Sequence, residues 1–381
     1  MSMEHGESHI ALGLGWDAGW AEAFAAHRAA GRRPARVVAV HKETSIVRDG
    51  ALAADRPAIV SGRFRHAALV SSDYPAVGDW VALEADGAEA GPSDPAVITA
   101  IVPRRSAFRR RAADASRRSA SGLADEQVMA ANVDVAFLVA GLDRDFNLRR
   151  LERYLAVAWS SGVSPVIVLN KADIADDLEG RLVAIAAVAP GVPAVVLSAL
   201  TGDNLADLGA YLRPGRTVVV LGSSGVGKST LVNALLGHEA QATAAVRTDD
   251  SRGRHTTTHR ELFVLPGGAL LVDTPGIRAL EVAGAEEGVE AAFDEIATLA
   301  SRCRFRDCRH EREPGCAVRR AVADGTLGED RLASHQKLER ELAHAERKGD
   351  PLAKAEERRR WKAISKSVGR HMERKYGGDP P

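Results

Sequence analysis

Two patterns of apolar positions divide the chain. Between residues 34 and 103, short apolar runs of strand length alternate with Gly, Pro and Asp, a density of strands that is typical of a small β-barrel. From residue 133 onward, apolar strand-like runs alternate with helical stretches, which predicts an α/β doubly wound sheet. The predicted barrel strands are Ala35–Val40, Ala58–Val60, Ala67–Val70, Asp79–Leu83 and Ala96–Ile101.

The α/β part is predicted to contain strands at Val133–Leu142, Pro165–Leu169, Pro193–Leu197, Thr217–Leu221 and Ala269–Val272, and helices at Leu148–Trp159 and Lys228–Leu236. Leu332–Tyr376 predicts a C-terminal helical region, with a break at Gly349–Pro351 because both residue types interrupt helices. Near the N-terminus, Trp16–Ala29 predicts a short amphipathic helix or a loose extension, to which no chemistry is assigned.

Composition narrows the class of protein. A chain of 381 residues has room for two or three domains, and its 51 basic and 51 acidic residues give no net charge that would indicate a partner. No apolar run reaches the ~18 residues of a membrane span. Met1–Glu7 lacks the features of an export signal, and the three cysteines, all between positions 303 and 316, do not form a disulfide framework. We therefore expect a cytoplasmic protein without membrane attachment.

A glycine-rich segment between a predicted strand and a predicted helix has the spacing of a phosphate-binding P-loop. Its glycines let successive N–H groups and the helix N-terminus point at a phosphate chain. Lys228 is predicted to reach the β and γ phosphates, and the Ser229 hydroxyl to bind Mg²⁺. The predicted phosphate-binding residues are Gly222, Ser223, Ser224, Gly225, Val226, Gly227, Lys228, Ser229 and Thr230.

Two segments upstream of the P-loop predict a guanine site. The Asp173 carboxylate can accept from adjacent N–H groups on the guanine edge, with Asn170 on the N7 side and the Lys171 stem over the ring. The Ala199 N–H can donate to the guanine O6, so this set disfavours a relative that uses ATP. Taken alone, Asn-Lys-x-Asp is also compatible with a solvated turn. The predicted base-binding residues are Asn170, Lys171, Ala172, Asp173, Ser198, Ala199 and Leu200.

Downstream segments predict the remaining parts of a triphosphatase site. Asp273, in Asp-Thr-Pro-Gly, is predicted to hold Mg²⁺ through water, while the Gly276 N–H meets the γ-phosphate. Thr257 is predicted as a further Mg²⁺ ligand, although this Thr run can also be the start of a strand. Ile277 occupies the place of a water-orienting Gln, so we predict slow hydrolysis and suggest His255 for that role; the alternative is an ordinary surface histidine.

A cluster of Cys303, Cys308, His310 and Cys316 offers three thiolates and one imidazole. Such a set closes a tetrahedral site with no position left for water, which predicts a structural rather than a catalytic Zn²⁺. Unrelated cysteines beside a surface histidine are the alternative.

Two basic segments are candidates for contact with RNA. Residues 104–118 contain seven arginines against one acid, and residues 354–375 contain nine basic and three acidic residues. Basic runs beside a β-barrel or in a helical tail suit phosphate contacts. A solvated surface is the alternative for both segments, and the barrel itself can be a packing module only.

The order of the motifs is unusual, because the guanine-binding segments precede the P-loop. Circular permutation preserves the fold, since domain termini lie at the surface and are often close together. In this order and in the spacing of its cysteines and histidine, the chain resembles, from about residue 34 to about 370, the bacterial ribosome-small-subunit-dependent circularly permuted GTPases, the RsgA or YjeQ family.

The resemblance implies a domain plan and a function. An extension (residues 1–33) precedes an OB-fold barrel (34–105), a circularly permuted P-loop GTPase domain (106–282) and a helical zinc-binding domain (283–381). The implied protein is a monomer that hydrolyses GTP to GDP, is stimulated by the 30S ribosomal subunit with its 16S rRNA, and assists late maturation of that subunit. The alternative is an RNA-binding scaffold that uses GTP only as a conformational switch.

Overall fold

The computed structural model describes residues 13–41, 44–49, 55–85, 94–111, 126–238, 260–273 and 285–349. Within these ranges, eleven strands form one continuous sheet, two more form a hairpin, and ten α-helices accompany them. No helix in this part of the chain has both the length and the apolar character needed to cross a membrane.

The N-terminal strands close into a barrel, as predicted. These strands are β1 (Arg33–His41), β2 (Thr44–Asp49), β3 (Arg56–Val60), β4 (Trp80–Leu83) and β5 (Ala96–Ile101). They pair in the order β1-β2-β3-β5-β4, and β4 pairs back with β1, so these five strands form a closed barrel. Only β3 and β5 run parallel. Val37, Val81 and Ile98 are among the side chains that fill the interior.

One predicted barrel strand, Ala67–Val70, is wrong. Gly62–Ala67 forms helix α3, and a 3₁₀ turn follows at Ser71–Asp73. The Ser61 hydroxyl accepts the Phe64 N–H at 3.1 Å, and this N-cap supports a helix that the apolar pattern does not reveal. Conversely, β2 was not predicted, because Thr, Ser, Arg and Asp occupy four of its six positions.

The second half of the sheet has the predicted α/β layout. Its strands are β8 (Val135–Gly141), β9 (Ser164–Asn170), β10 (Ala194–Val196), β11 (Thr217–Gly222), β12 (Arg260–Val264) and β13 (Leu270–Asp273). The order is β10-β9-β8-β11-β13-β12, with only β12 antiparallel. Helices α4 (Leu148–Ser160), α5 (Leu178–Val188) and α6 (Lys228–Leu236) connect these strands. β12 also pairs with β1 and joins this sheet to the barrel.

The N-terminal segment is packed into the core and is not a loose extension. It forms α1 (Ala18–Ala23) and α2 (Ala25–Ala29), and Leu14, Trp20 and Phe24 are buried. The Trp16 ring lies edge-on to Trp80 of the barrel, with 4.6 Å between ring centroids. The segment therefore contributes apolar surface to the barrel side of the main core.

Two arginines of the predicted RNA-binding segment have structural roles. Arg104 donates to the buried Asp79 carboxylate and to two main-chain carbonyls. Arg105 pairs with Asp17 at 2.6 Å, and its guanidinium lies 4.0 Å from the centre of the Trp20 ring. The hydrogen bond from Arg105 lowers the pKa of Asp17 to about 2. Beyond them, β6 (Ala107–Arg111) and β7 (Glu126–Ala131) form a hairpin that the sequence pattern did not indicate.

The C-terminal helices pack against α4. They are α7 (Glu286–Ala292), α8 (Asp294–Ala300), α9 (Ala317–Ala323) and α10 (Glu329–Gly349). A Cβ atom on Gly288 would lie 1.9 Å from the Ala156 carbonyl oxygen, so α7 approaches α4 closely at a glycine. Helix α10 begins three residues before the predicted Leu332, and the predicted helix beyond residue 349 lies outside the described residues. The domain boundaries at 33, 105 and 282 stay predictions.

Candidate functional site

The P-loop connects β11 to α6. Gly225 and Gly227 have φ angles of 85° and 89°, and the helix begins at Lys228. A Cβ atom on Gly227 would lie 2.3 Å from Asn170 Nδ2, so only glycine fits at this position. All nine predicted phosphate-binding residues, from Gly222 to Thr230, lie on one strand-to-helix turn. This turn combines backbone N–H groups with the positive end of a helix, and both favour anions.

Lys228 lies folded against its own loop. Its ammonium donates a hydrogen bond to the main-chain carbonyl of Ser223. Ser224 and Gly225 are exposed at the tip of the loop, whereas Val226 is buried beneath it. Val226 thus anchors the loop in the protein interior, and the tip of the loop is open to solvent. A bound phosphate chain could replace the Ser223 carbonyl as the hydrogen-bond partner of Lys228.

Asn170 connects the predicted guanine site to the P-loop. Its side chain is 2 % exposed, and Nδ2 donates to the Val226 carbonyl at 2.8 Å. Its Oδ1 accepts the Ala199 N–H at 2.9 Å. One amide thus joins the P-loop to both upstream segments, and the Ala199 N–H that we assigned to guanine O6 is directed at Asn170 in this structure. The placements of Asn170 on N7 and of Ala199 on O6 stay predictions.

Lys171 follows in a left-handed conformation, with φ 69° and ψ 38°. Its ammonium lies 2.5 Å from the Asp143 carboxylate. Burial by itself raises the pKa of Asp143, but the hydrogen bonds from Lys171 and from the Asp145 N–H outweigh it and lower this pKa. Ala172 and Asp173 begin a short 3₁₀ turn, where Asp173 is exposed. Ser198 is buried and Leu200 is exposed on the neighbouring loop.

The predicted magnesium and catalytic residues are only partly covered by the described structure. Asp273 is the last residue of β13, the sheet neighbour of β11, and Ser229 lies in the first turn of α6. Both residues are therefore at the sheet edge that carries the P-loop. His255, Thr257 and Gly276 lie outside the described residues.

The Cys303, Cys308, His310 and Cys316 cluster has the geometry of a metal site. Its ligand atoms all lie within 4.8 Å of one another. The Cys303 and Cys316 sulfurs are 3.9 Å apart, and they lie 3.7 and 3.4 Å from His310 Nδ1. In a tetrahedral site with Zn–S and Zn–N bonds of ordinary length, sulfurs lie about 3.8 Å apart and about 3.5 Å from the nitrogen. The donor set therefore fits such an ion.

Comparison with known proteins agrees with this geometry. A family model described as RsgA GTPase matches residues 101–283. The "Small ribosomal subunit biogenesis GTPase RsgA" of Opitutus terrae is 49 % identical over 357 residues, which cover 92 % of this chain and 95 % of that protein. This chain belongs to the RsgA GTPase family. It is therefore a GTPase, and the segments predicted to bind the base and the phosphates lie together in the structure.

Solved structures agree with the permuted order of this RsgA-family chain. YjeQ from Thermotoga maritima aligns with a TM-score of 0.59 at 29 % identity, covering 82 % of this chain and 99 % of that one. YloQ, described as a circularly permuted GTPase, aligns with a TM-score of 0.56 at 24 % identity and supports the fold alone. The circularly permuted GTPase fold is confirmed.

Three residues beside the P-loop of this RsgA-family chain were not predicted. Asp143 and Asp145 lie in the loop after β8, and Arg150 lies in the first turn of α4. They contact Lys171 and Ser223. A signal was available, because β8, β9 and β11 are parallel neighbours and the loops at their carboxyl ends must meet.

Proposed function

We propose that this GTPase acts on the small ribosomal subunit during its late maturation. The observation that carries the proposal is the Asn170 amide, which joins the phosphate-binding loop to both predicted guanine-binding segments in one site. The ribosomal part is supported by relatives whose names describe small-subunit biogenesis, including one that is 49 % identical. The proposed partners are GTP, GDP, and the 30S subunit with its 16S rRNA. We further propose that the protein acts in the cytoplasm as a monomer.

The proposed reaction is in-line attack of water on the γ-phosphate. Lys228 and the P-loop N–H groups would stabilise the charge that develops on the phosphate oxygens. Mg²⁺, where bound with GTP, would neutralise the same charge, held by Ser229, Asp273 and Thr257. Asp173 would select guanine through its N–H groups, and the Gly276 N–H would meet the γ-phosphate.

We propose that the intrinsic rate is slow. Ile277 stands where a water-orienting Gln is expected, and an aliphatic side chain can neither donate nor accept a hydrogen bond. His255 would position the water when a partner is bound. Stimulation by that partner is then a direct consequence of the residue at position 277.

The proposal is tested by measuring GTP hydrolysis with and without purified 30S subunits at low salt, with 50S subunits as the control. We expect acceleration of about tenfold or more by 30S and none by 50S, because ordering of a catalytic segment in trans has effects of this size or larger. Equal rates in all three reactions would contradict the ribosomal role. Binding to 30S without acceleration would favour the scaffold alternative.

For the C-terminal cluster we propose one structural Zn²⁺ held by Cys303, Cys308, His310 and Cys316. Such an ion would stabilise a small core that includes Phe293, Val318 and Leu332. Support comes from the segment between the second and last cysteine, where the Glu313 carboxylate accepts three backbone N–H groups at 2.9 to 3.0 Å. That loop is already shaped to bring its ligands together.

The zinc assignment predicts that His310→Ala loses the metal. We expect the zinc content to fall from about one ion per chain to near zero, and the C-terminal helices to unfold at lower temperature, because metal binding at such sites is coupled to folding. Zinc analysis and far-UV circular dichroism report the two effects. His344→Ala is the matched control, since this histidine is exposed on α10 outside the cluster. Full zinc content in His310→Ala would contradict the assignment.

A further inference from the structure

Two residues outside every predicted motif, Arg150 and Asp145, hold the side chain of the P-loop residue Ser223. Arg150 Nη1 donates to Ser223 Oγ at 2.6 Å and to Asp145 Oδ2 at 3.0 Å. Ser223 Oγ in turn donates to Asp145 Oδ2 at 3.0 Å. Guanidinium, carboxylate and hydroxyl therefore form a closed triangle, in which the serine hydroxyl uses both its donor and its acceptor capacity.

Ser223 determines where the Lys228 ammonium lies before a phosphate binds. The Lys228 ammonium donates to the Ser223 carbonyl, while the Ser223 side chain is held by Arg150 and Asp145. Main chain and side chain of one P-loop residue are thus both held by hydrogen bonds. The orientation of Ser223 sets where the lysine lies before it meets a phosphate.

The support behind Ser223 is itself anchored on the base-binding side. The Asn147 side chain accepts the Arg150 N–H at 3.1 Å and caps α4. Asp143 accepts the Asp145 N–H at 3.1 Å and the Lys171 ammonium at 2.5 Å. One short loop therefore contacts both the P-loop and the guanine-binding motif, which fixes their relative positions.

Two further side chains of α4 contact the C-terminal helix α10. Glu152 is fully buried and accepts from Arg331 of α10 at 2.7 Å and from the Ser334 hydroxyl. Arg153, one turn after Arg150 on α4, pairs with Glu341 of α10. Because Glu152 and Arg153 tether α4 to α10, the helix that presents Arg150 is a rigid support, and positioning groups on rigid elements are the most precise.

We propose that Arg150 and Asp145 are positioning residues for GTP hydrolysis, and that they act by holding Ser223 so that the P-loop is preformed for the triphosphate. The proposal rests on the proposed use of the P-loop in that reaction. A preformed loop does not need to be ordered when GTP binds, so binding does not incur the entropy cost of fixing the loop. Neither residue contacts the nucleotide in this role; both act through the serine.

The test is a double-mutant cycle on kcat/KM for GTP, with Arg150→Met, Ser223→Ala and the double variant. We expect each single change to lower kcat/KM about three- to tenfold, the range for loss of one partly exposed, charge-assisted hydrogen bond. The kcat/KM of the double variant should equal that of the less active single variant. The two losses should not add, because Arg150 acts through Ser223. Arg150→Lys, which keeps the charge but not both contacts, should lie between wild type and Arg150→Met.

Arg153→Met is the matched control. Arg150 and Arg153 lie on the same helix, and both side chains are 34 % exposed, but Arg153 contacts Glu341 and not the P-loop. We expect Arg153→Met to leave kcat/KM unchanged. A structural role alone would give the two methionine variants the same profile, with a lower unfolding midpoint and an unaltered kcat/KM of the folded enzyme.

The outcomes separate this proposal from the one on which it rests. If Lys228→Ala turns over GTP at the wild-type rate, the P-loop is not the site of hydrolysis and both proposals fall. If Lys228→Ala is inactive while Arg150→Met and Ser223→Ala stay within twofold of wild type, only the positioning role is overturned. Additive losses in the double variant overturn it as well, because Arg150 would then act by another route.

Discussion

Lys228→Ala is expected to lower GTP turnover by about 10²- to 10³-fold, the loss seen when one donor to a developing oxyanion is removed. Lys228 begins α6 directly after Gly227, and its ammonium donates to the Ser223 carbonyl inside the loop. Bound GTP would offer phosphate oxygens at the same place. A carbonyl is neutral, so the lysine gains a stronger partner as charge develops on the γ-phosphate, and alanine removes that gain.

Multiple-turnover phosphate release measures this effect without ribosomal subunits. Lys337→Ala is the control, since Lys337 is exposed on α10 and away from the P-loop. We expect it to hydrolyse GTP at the wild-type rate. Wild-type turnover by Lys228→Ala would mean that the observed hydrolysis belongs to another site or to a contaminant.

The strand-to-helix turn of the P-loop could be predicted because its requirements are encoded locally. Gly227 needs a positive φ angle and no Cβ, and Lys228 must follow it on the helix, so residue type and spacing are enough. Arg150 and Asp145 have no such signature. They meet Ser223 only because β8 lies beside β11, and that neighbour relation is a property of the folded sheet.

The fold shows the same contrast: elements set by their local sequence were predicted, and elements that depend on contacts between distant residues were not. The α/β strands β8, β9 and β11 are apolar runs buried on both faces, so the continuous apolar pattern detected them. Several barrel strands are short and mixed, and the strand expected at Ala67–Val70 is absent because the chain there follows helix α3, which Ser61 caps. The N-terminal segment could not be placed, because its burial depends on Trp80, far away in the chain.

Arg36 is the residue whose role was least visible in the sequence. It lies in the predicted strand Ala35–Val40 among apolar residues, and its side chain is buried at 2 % exposure. Its guanidinium donates to the carbonyls of Leu14, Gly78 and Asn132 and to the Thr217 hydroxyl. These four acceptors belong to the N-terminal segment, the end of the turn before β4, the hairpin end and the start of the P-loop strand. One side chain thus joins the barrel to the GTPase sheet.

Replacing Arg36 with alanine is expected to lower the free energy of unfolding by about 3–5 kcal/mol, the cost of breaking a buried charged network. Burial lowers the pKa of Arg36 to about 10, partly offset by Asp134 and Asp79, so the group stays charged at neutral pH. Without it, buried carbonyls lose their donor and a cavity remains. Urea denaturation followed by tryptophan fluorescence is suitable, because Trp80 lies 5.4 Å from the guanidinium.

Arg33→Ala provides the comparison on the same strand. Arg33 pairs at 3.7 Å with the buried Asp49, while its own side chain is 29 % exposed, so we expect a loss of about 1–2 kcal/mol, between that of a surface ion pair and that of a buried one. Arg36→Lys should lie between the two alanine variants, since an ammonium keeps the charge but cannot reach four acceptors in different directions. If the free energies of unfolding of Arg36→Ala and Arg33→Ala differ by less than about 1 kcal/mol, the prediction is wrong. Water would then satisfy the freed carbonyls, and apolar packing around Trp80 would hold the barrel against the GTPase sheet.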